Sequence, residues 1–500
     1  MGIAHERLSQ ATLDLVRQSG TYVAGTWRDG SGHTIDVIDP SSGQVCGSVA
    51  TSATADVDAA VGAARQAFEY GSEWRRMSHQ DRSDLLRRLA DVIESKSASF
   101  AELGTLEVGS PVNLSRTLHA AGPVAFFRFW SQAAIRGPMG GYEEALPLLD
   151  EPVMAASLIM REPIGVVAAI AAYNFPLLIT SFKVGGALAA GCTTVLMPSP
   201  RTILSSIAFM ACAEEAGLPP GVVNLVTGEA DIGRHLTQAQ GVDMITFTGS
   251  VEVGMSVMAQ AAGGLKHTVL ELGGKSPNIL LPGTPLQTAV GPSILRFTRN
   301  AGQGCGATTR TFVPRASYAE YAAQAKDFIS GMKVGSAWDE ATDVGPVIRA
   351  DHRDRIEGYI DRALAAGGTI EAGGGRPDLD GFYLNPTLIG NVENSAEICQ
   401  EELFGPVGVL IPYDTVEEVI ELANGTRYGL NANVWGPTDQ AMHVARRLKA
   451  GTVTINGGGA DRPDAPWASA GHSGVGVDRG MDGFSEFFHV RHIQYPLAQI

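Results

Sequence analysis

The chain is short of cysteine, of basic residues and of long apolar runs, and each shortage argues against a class of function. Only five cysteines are spread over 500 residues. Cys46, Cys192, Cys212, Cys305 and Cys399 are odd in number and form no C-x-x-C pair. That disfavours a disulfide framework or a structural zinc site and points to a reducing compartment, the cytoplasm; no metal is expected. Lys and Arg total 37 against 53 Asp and Glu, a net charge of −16. Neither nucleic acid nor a membrane surface is therefore an expected partner. The longest apolar run, Ile164 to Ala172, is too short to span a bilayer. Met1 to Val16 holds no apolar core of a secretory signal. Glu6 stands where a myristoylation motif opening on Met1-Gly2 needs Ser or Thr. Repeats and low-complexity linkers are absent too, so the domains are expected to pack closely.

What is present is a globular composition, 44% hydrophobic and 18% charged, in a chain long enough for more than one domain. From Thr54 to Ala120 the pattern is that of amphipathic helices, for example Val57 to Phe68 and Gln80 to Ser95. Glu143 to Glu162 alternates and reads as an extended arm or hairpin. Short apolar strands then alternate with helices. Strands are expected at Gly165–Ala171, Thr193–Met197, Val222–Val226, Met244–Phe247 and Val269–Leu272, with helices Leu177–Ala190, Ser205–Ala216, Ile232–Ala239 and Val251–Ala261 between them. Such alternation implies βαβ units and a doubly wound parallel sheet, which binds ligands at the carboxyl ends of its strands. After Gly274 a second block begins. Its expected helices are Ser293–Thr298, Tyr318–Ile329 and Arg353–Ala366, its strands Gly408–Pro412 and Thr452–Asn456, with a terminal strand Val490–Tyr495.

Three segments carry chemistry. Cys305 closes Asn300-Ala301-Gly302-Gln303-Gly304-Cys305. A lone cysteine is most often a buried small hydrophobe, but glycines at 302, 304 and 306 admit close backbone approach and supply little packing volume. Backbone N–H groups or a helix N-terminus could stabilise its thiolate, the reactive form. Glu271, before Gly273-Gly274, is either a solvated carboxylate at a strand end or a half-buried base that activates water. Asn174 follows a buried strand inside a turn, where Asn is common for local reasons; its side-chain amide could also face a developing alkoxide. Thr248-Gly249-Ser250, followed by Gly254, sits where a dinucleotide phosphate would meet a helix N-terminus. It is not the G-x-G-x-x-G fingerprint.

Taken jointly, in order and spacing, these segments resemble the NAD(P)-dependent aldehyde dehydrogenase superfamily over nearly the whole chain. The matching residues are Asn174-Phe175-Pro176, Phe247-Thr248-Gly249-Ser250, Glu271-Leu272-Gly273-Gly274-Lys275, the Cys305 segment, Glu402-Leu403-Phe404-Gly405-Pro406 and Ser473-Gly474-Val475-Gly476. The resemblance implies an α/β fold with a Rossmann-like doubly wound cofactor domain (1–139 and 160–273), an α/β catalytic domain (274–480) and a small β oligomerisation arm (140–159 and 481–500). It implies a homodimer or homotetramer. It assigns Cys305 as the nucleophile of a thiohemiacetal and then a thioester, Asn174 and the Cys305 N–H as oxyanion donors, and Glu271 as the base for hydrolysis. To the cofactor it assigns Ala172, Tyr173, Lys183 (near the adenosine ribose), Met197, Ser199, Phe247, Thr248, Gly249, Ser250, Gly254, Leu272, Glu402 and Phe404.

The chain departs from that pattern in four places. Tyr173 stands where the family usually has Trp and keeps an aromatic wall. Met197 and Pro200 replace a Lys and a Glu that commonly hold the adenosine ribose, which leaves Arg201 or Arg234 to compensate. Without the usual phosphate partner, NAD is expected over NADP, with NADP possible. Pro466-Trp467-Ala468-Ser469-Ala470-Gly471 replaces a Pro-Phe-Gly-Gly-x-Lys segment. Trp467 is expected to line the substrate tunnel with Phe175, Leu178 and Phe182, favouring an apolar aliphatic, terpenoid or aromatic aldehyde. Two alternatives stand beside this one. A CoA-acylating relative typically lacks the base that Glu271 supplies. A catalytically weak member kept for binding or structure would explain the altered segments but not the retained Cys305, Glu271, Asn174 and Glu402.

Overall fold

Strands buried on both faces must be covered by helices, and the run from Val166 to Glu271 is built that way. Strands Val166–Ala171, Thr193–Pro198, Val223–Leu225, Met244–Thr248 and His267–Glu271 are almost wholly buried. Helices Pro176–Ala190, Leu204–Glu215, Ala230–Gln238 and Val251–Ala262 connect them. Punctuation follows local chemistry. Pro176 opens its helix, where a missing N–H is harmless, and Gly191 closes it at φ 93. The computed structural model describes residues 3–149, 154–458 and 462–497. Met1, Gly2 and parts of the expected arm (150–153 and 498–500) lie outside the described residues.

Among the described residues the strands form two large sheets. In the first the five strands named above are parallel, in the chain order 3-2-1-4-5, so the direction of winding reverses between Val166–Ala171 and Met244–Thr248. Thr21–Val23 and Thr26–Arg28 extend one edge antiparallel, and Gly474–Val475 pairs antiparallel with His267–Glu271 at the other. The seven-stranded second sheet is parallel except for its edge strand Thr369–Gly373, and is centred on Arg310–Pro314 and Pro277–Leu280. The terminal strand Phe488–Pro496 pairs along its full length with Ala155–Pro163, and Glu143–Ala145 adds a third antiparallel strand. Phe484 and Phe487, just before it, pack into the core of the first sheet.

Several elements differ from the sequence expectation. The strands at Thr21–Arg28 and Thr34–Ala50 were not anticipated: Thr21–Val23 and Thr26–Arg28 are three residues each, and a bulge at Val37/Ile38 interrupts the alternation of Thr34–Asp39. In the second sheet Pro277–Leu280, Arg310–Pro314, Thr387–Gly390 and Asn431–Trp435 were not anticipated, each being four or five residues long. The helix expected from Ser293 begins at Leu286 and runs through Pro292. Before the helix Gly122–Arg136, residues Arg116–Ala121 form a π-helical turn.

Candidate active site

The reversal of winding opens a crevice at the carboxyl ends of the first sheet. Ala172, Tyr173 and Asn174 leave one strand there, Gly249 and Ser250 another, and Glu271 ends a third. Cys305 enters the same place from the second sheet. Its loop begins with three consecutive left-handed residues, Asn300 (φ 54), Ala301 (φ 53) and Gly302 (φ 74). Such backbone is strained for non-glycine residues and persists only where its surroundings hold it. A Cβ at Gly302 would collide with the Gly405 carbonyl, so glycine is required there.

Buried amides hold that turn. Asn300 Oδ1 accepts from Ser110 Oγ, and its Nδ2 donates to the Asn174 carbonyl at 3.2 Å. Gln303 donates to Asn300 O at 3.1 Å and accepts from the Ile348 N–H at 2.9 Å. Asn174 Nδ2 donates to Gln303 O at 3.0 Å, which leaves its second N–H for a ligand. Cys305, Asn174 and Glu271 are thus brought together. Asn300 and Gln303 were present in the motif but drew no role from sequence; two amides in a glycine-rich buried loop were the available signal.

Burial, then the charges of Glu271 and Glu402, push the Cys305 thiol up to about 12, against Arg479 and the Gly306 N–H. The resting nucleophile is therefore the thiol, and the expected backbone stabilisation of a thiolate is outweighed. Glu271 is buried, and its carboxyl is held well above the usual carboxylate range by desolvation and next by Asp478, with Lys183, Arg479 and Trp467 opposing. A carboxyl of that kind suits a base that works at neutral pH.

Lys183 requires a correction. It was expected near the adenosine ribose, but its Nζ donates to Thr246 Oγ1 at 2.8 Å and pairs with Asp478 at 3.1 Å, with side-chain exposures of 0% and 5%. An ammonium in an otherwise apolar helix needs a buried carboxylate, and Asp478 on the Glu271 side supplies it. Asp478, Arg479 and Thr246 were missed by sequence reasoning; the unpaired Lys183 in its apolar run was the clue to the first.

Several residues assigned to a dinucleotide lie close to one another. Ser250 caps the twelve-residue helix Val251–Ala262, accepting from Val253 N at 3.4 Å. Cβ atoms at Gly249, Gly254 and Gly273 would strike Phe247, Leu272 and Glu402 respectively. Glu402 Oε1 accepts from Gly274 N at 3.0 Å, and burial pushes its carboxyl up to about 7. Phe404 is held at φ 58, its carbonyl accepting from His352 at 2.8 Å and its ring meeting Tyr173 edge-on at 5.8 Å. The three glycines are required by packing against Phe247, Leu272 and Glu402, and it is the Ser250-capped helix terminus that fits a dinucleotide phosphate. The adenosine end offers less. Met197 is buried against Gly233, and Ser199 Oγ accepts from Arg201 N at 3.3 Å. Arg201 lies 5.4 Å over the Tyr173 ring and pairs with Asp351 at 3.7 Å, while Arg234 is exposed on its helix.

Of the four expected tunnel residues, Phe175, Leu178 and Phe182 fall at helical spacing on and just before one helix, and Trp467 and Phe182 both lie against Arg479. Phe175 packs 5.7 Å from His119, Phe182 packs 4.4 Å from Phe126, and Leu178 would touch a Cβ at Gly122. Burial drops His119 to about 3, so it is neutral. The altered segment makes short strands: Trp467 faces Asp478, and Ala470–Gly471 pairs with Tyr428–Gly429. A Cβ at Gly306, next to the nucleophile, would sit 2.9 Å from the Trp467 ring.

Comparison with known proteins agrees with this geometry. A family model described as the aldehyde dehydrogenase family matches residues 27–493. A geranial dehydrogenase of Castellaniella defragrans is 36% identical over 93% of this chain and 96% of its own. A betaine aldehyde dehydrogenase of Bacillus subtilis is 36% identical over 94% and 96%. The NAD+ complex of an aldehyde dehydrogenase from Bacillus cereus superposes with a TM-score of 0.94 at 33% identity, covering 98% of this chain and 99% of that one.

Proposed function

Because the chain belongs to the aldehyde dehydrogenase family, we propose that it oxidises a neutral, apolar aldehyde (aliphatic, terpenoid or aromatic) to the carboxylic acid with NAD. The reading is supported by Cys305, Asn174 and Glu271 lying together and by the apolar Phe175, Leu178, Phe182 and Trp467, which we assign to the walls of the aldehyde tunnel. The two named relatives above differ in substrate at the same identity, so it is the wall that argues for an apolar chain.

The residues divide the work. Cys305 attacks the carbonyl carbon as its proton leaves for the Glu271 carboxylate, directly or through one water. The Asn174 amide and the Cys305 N–H hold the resulting oxyanion. The Ser250 helix terminus, Glu402 and Phe404 would hold NAD, which when bound supplies the hydride acceptor. Collapse of the oxyanion leaves an acyl thioester on Cys305. Glu271, once deprotonated again, takes a proton from water, which adds to the thioester and releases the acid and the thiol. The buried Lys183–Asp478 pair sets the charge around Glu271 during both proton transfers.

NAD rather than NADP follows from Met197, which cannot hold a 2′-phosphate. Apolar side chains exposed on the arm, among them Leu146, Leu148, Val490, Ile493 and Tyr495, support a homodimer or homotetramer. The five cysteines are free and no helix among the described residues is long and apolar enough to cross a membrane; a cytoplasmic setting fits the former. Reduced-cofactor absorbance with a panel of aldehydes, in NAD and in NADP, tests the reading. Turnover of apolar aldehydes with NAD is expected; folded protein inert towards all of them would refute it.

A further inference from the structure

We propose that Arg479 is a specificity-determining residue. Its guanidinium fills the cation seat of an aromatic box in the aldehyde tunnel and so restricts the tunnel to aldehydes with no cationic group beside the carbonyl. This rests on the function proposed above and goes further, by naming the residue that rejects one substrate class.

The guanidinium carbon lies 4.2 Å from the Phe182 ring centroid, 4.7 Å from Trp467 and 5.4 Å from Phe126. Three rings from three separate elements thus converge on one cation, the arrangement by which aromatic cages recognise quaternary ammonium ligands. Two of the three, Phe182 and Trp467, were independently expected to wall the tunnel. The box adjoins the chemistry, since the Arg479 charge is felt at both Cys305 and Glu271. Its backbone is also held where a non-glycine residue is rarely found, at φ 64 and ψ 172. The surrounding structure therefore keeps a large cationic side chain at a position whose conformation favours glycine.

Two consequences follow for a ligand. The space between the rings that would receive a trimethylammonium group is already taken by the guanidinium, whatever else that side chain bonds. A second cation there would also meet like charge in a desolvated site. A neutral alkyl or aryl group meets neither obstacle and packs on the ring edges and the guanidinium stem.

The test compares two aldehydes of one shape, 3,3-dimethylbutanal and trimethylammonioacetaldehyde, by kcat/KM in NADH formation. The wild-type protein should prefer the neutral isostere by about 30-fold or more. Arg479→Leu should narrow that ratio about tenfold, chiefly through a lower KM for the cation, and Arg479→Lys should preserve the preference. Comparable rates for the two isosteres in the wild type, or an unchanged ratio in Arg479→Leu, would overturn the proposal while leaving the function intact. Failure to oxidise any neutral aldehyde would instead reject the function. Calorimetric titration with tetramethylammonium keeps the box testable without turnover. No heat of binding to the wild type is expected and binding to Arg479→Leu is; binding to the wild type would overturn the proposal even if the variant did not fold.

Discussion

Lys183→Met and Asp478→Asn should move the pH dependence of thioester hydrolysis in opposite directions. The pair is fully desolvated, at 0% and 5% side-chain exposure and 3.1 Å separation. Lys183 favours the ionised form of Glu271 and Asp478 opposes it. Removing the ammonium leaves Asp478 as an uncompensated neighbour, so Glu271 ionises later and the rising limb of deacylation moves to higher pH. Removing the carboxylate charge does the reverse. Breaking one partner of a buried pair costs about 3–5 kcal/mol. At about 2.1 cal/mol/K per residue over 500 residues, that is a Tm loss of about 3–5 °C for either variant. The assay is single-turnover acid release across pH, with Tm measured on the same samples. Limbs that shift in the same direction, or not at all, would refute the placement of the pair beside Glu271.

Three further outcomes are expected. Cys305→Ala should abolish aldehyde oxidation while NAD binding, read by calorimetry, stays within about twofold of wild type; residual turnover at the wild-type rate would remove the nucleophile assignment. Glu107 is buried, accepts from Leu204 N and from Ser205 N and Oγ, and burial pushes it from 4.5 up to about 7. Its folded pKa lies above the unfolded one, so the native state binds more protons in that window. Its contribution to stability is full below 4.5 and falls as pH rises through 7. Glu107→Gln, which sets an amide N–H against backbone donors, should cost about 1–3 kcal/mol and flatten that slope in denaturant titrations; an unchanged slope would contradict it. Met197→Lys should lower KM for NADP about tenfold by restoring a charged donor, and no change with either cofactor would place the adenosine ribose elsewhere.

The parallel sheet was legible because short apolar strands alternate with helices that glycine or proline punctuates, as Pro176 and Gly191 do at the two ends of Pro176–Ala190. Cys305 was legible because its flanking glycines make little sense in a core; Gly302 and Gly306 do face close neighbours, although a Cβ at Gly304 would meet nothing within 4 Å. Lys183 was not legible. Whether a lysine on a buried helix reaches a ribose or a distant Asp478 depends on which neighbour the helix face meets, 295 residues away in the chain. Arg479 was hidden for a similar reason. Nothing local in Val477-Asp478-Arg479-Gly480 says that Phe126, Phe182 and Trp467 close around it. The strands between 21 and 50 are short or bulged hairpins that their pairing defines.

The central claim is an acyl thioester on Cys305 whose hydrolysis depends on Glu271. Glu271→Gln protein mixed with NAD and hexanal, quenched in acid and analysed by intact and peptide mass spectrometry, tests it directly. The account predicts one equivalent of NADH per site, formed more slowly than in the wild type because the proton acceptor for Cys305 is gone, and a hexanoyl adduct that persists on the peptide carrying Cys305. NADH formed without that adduct, or an adduct on Cys46, Cys192, Cys212 or Cys399 instead, would contradict it.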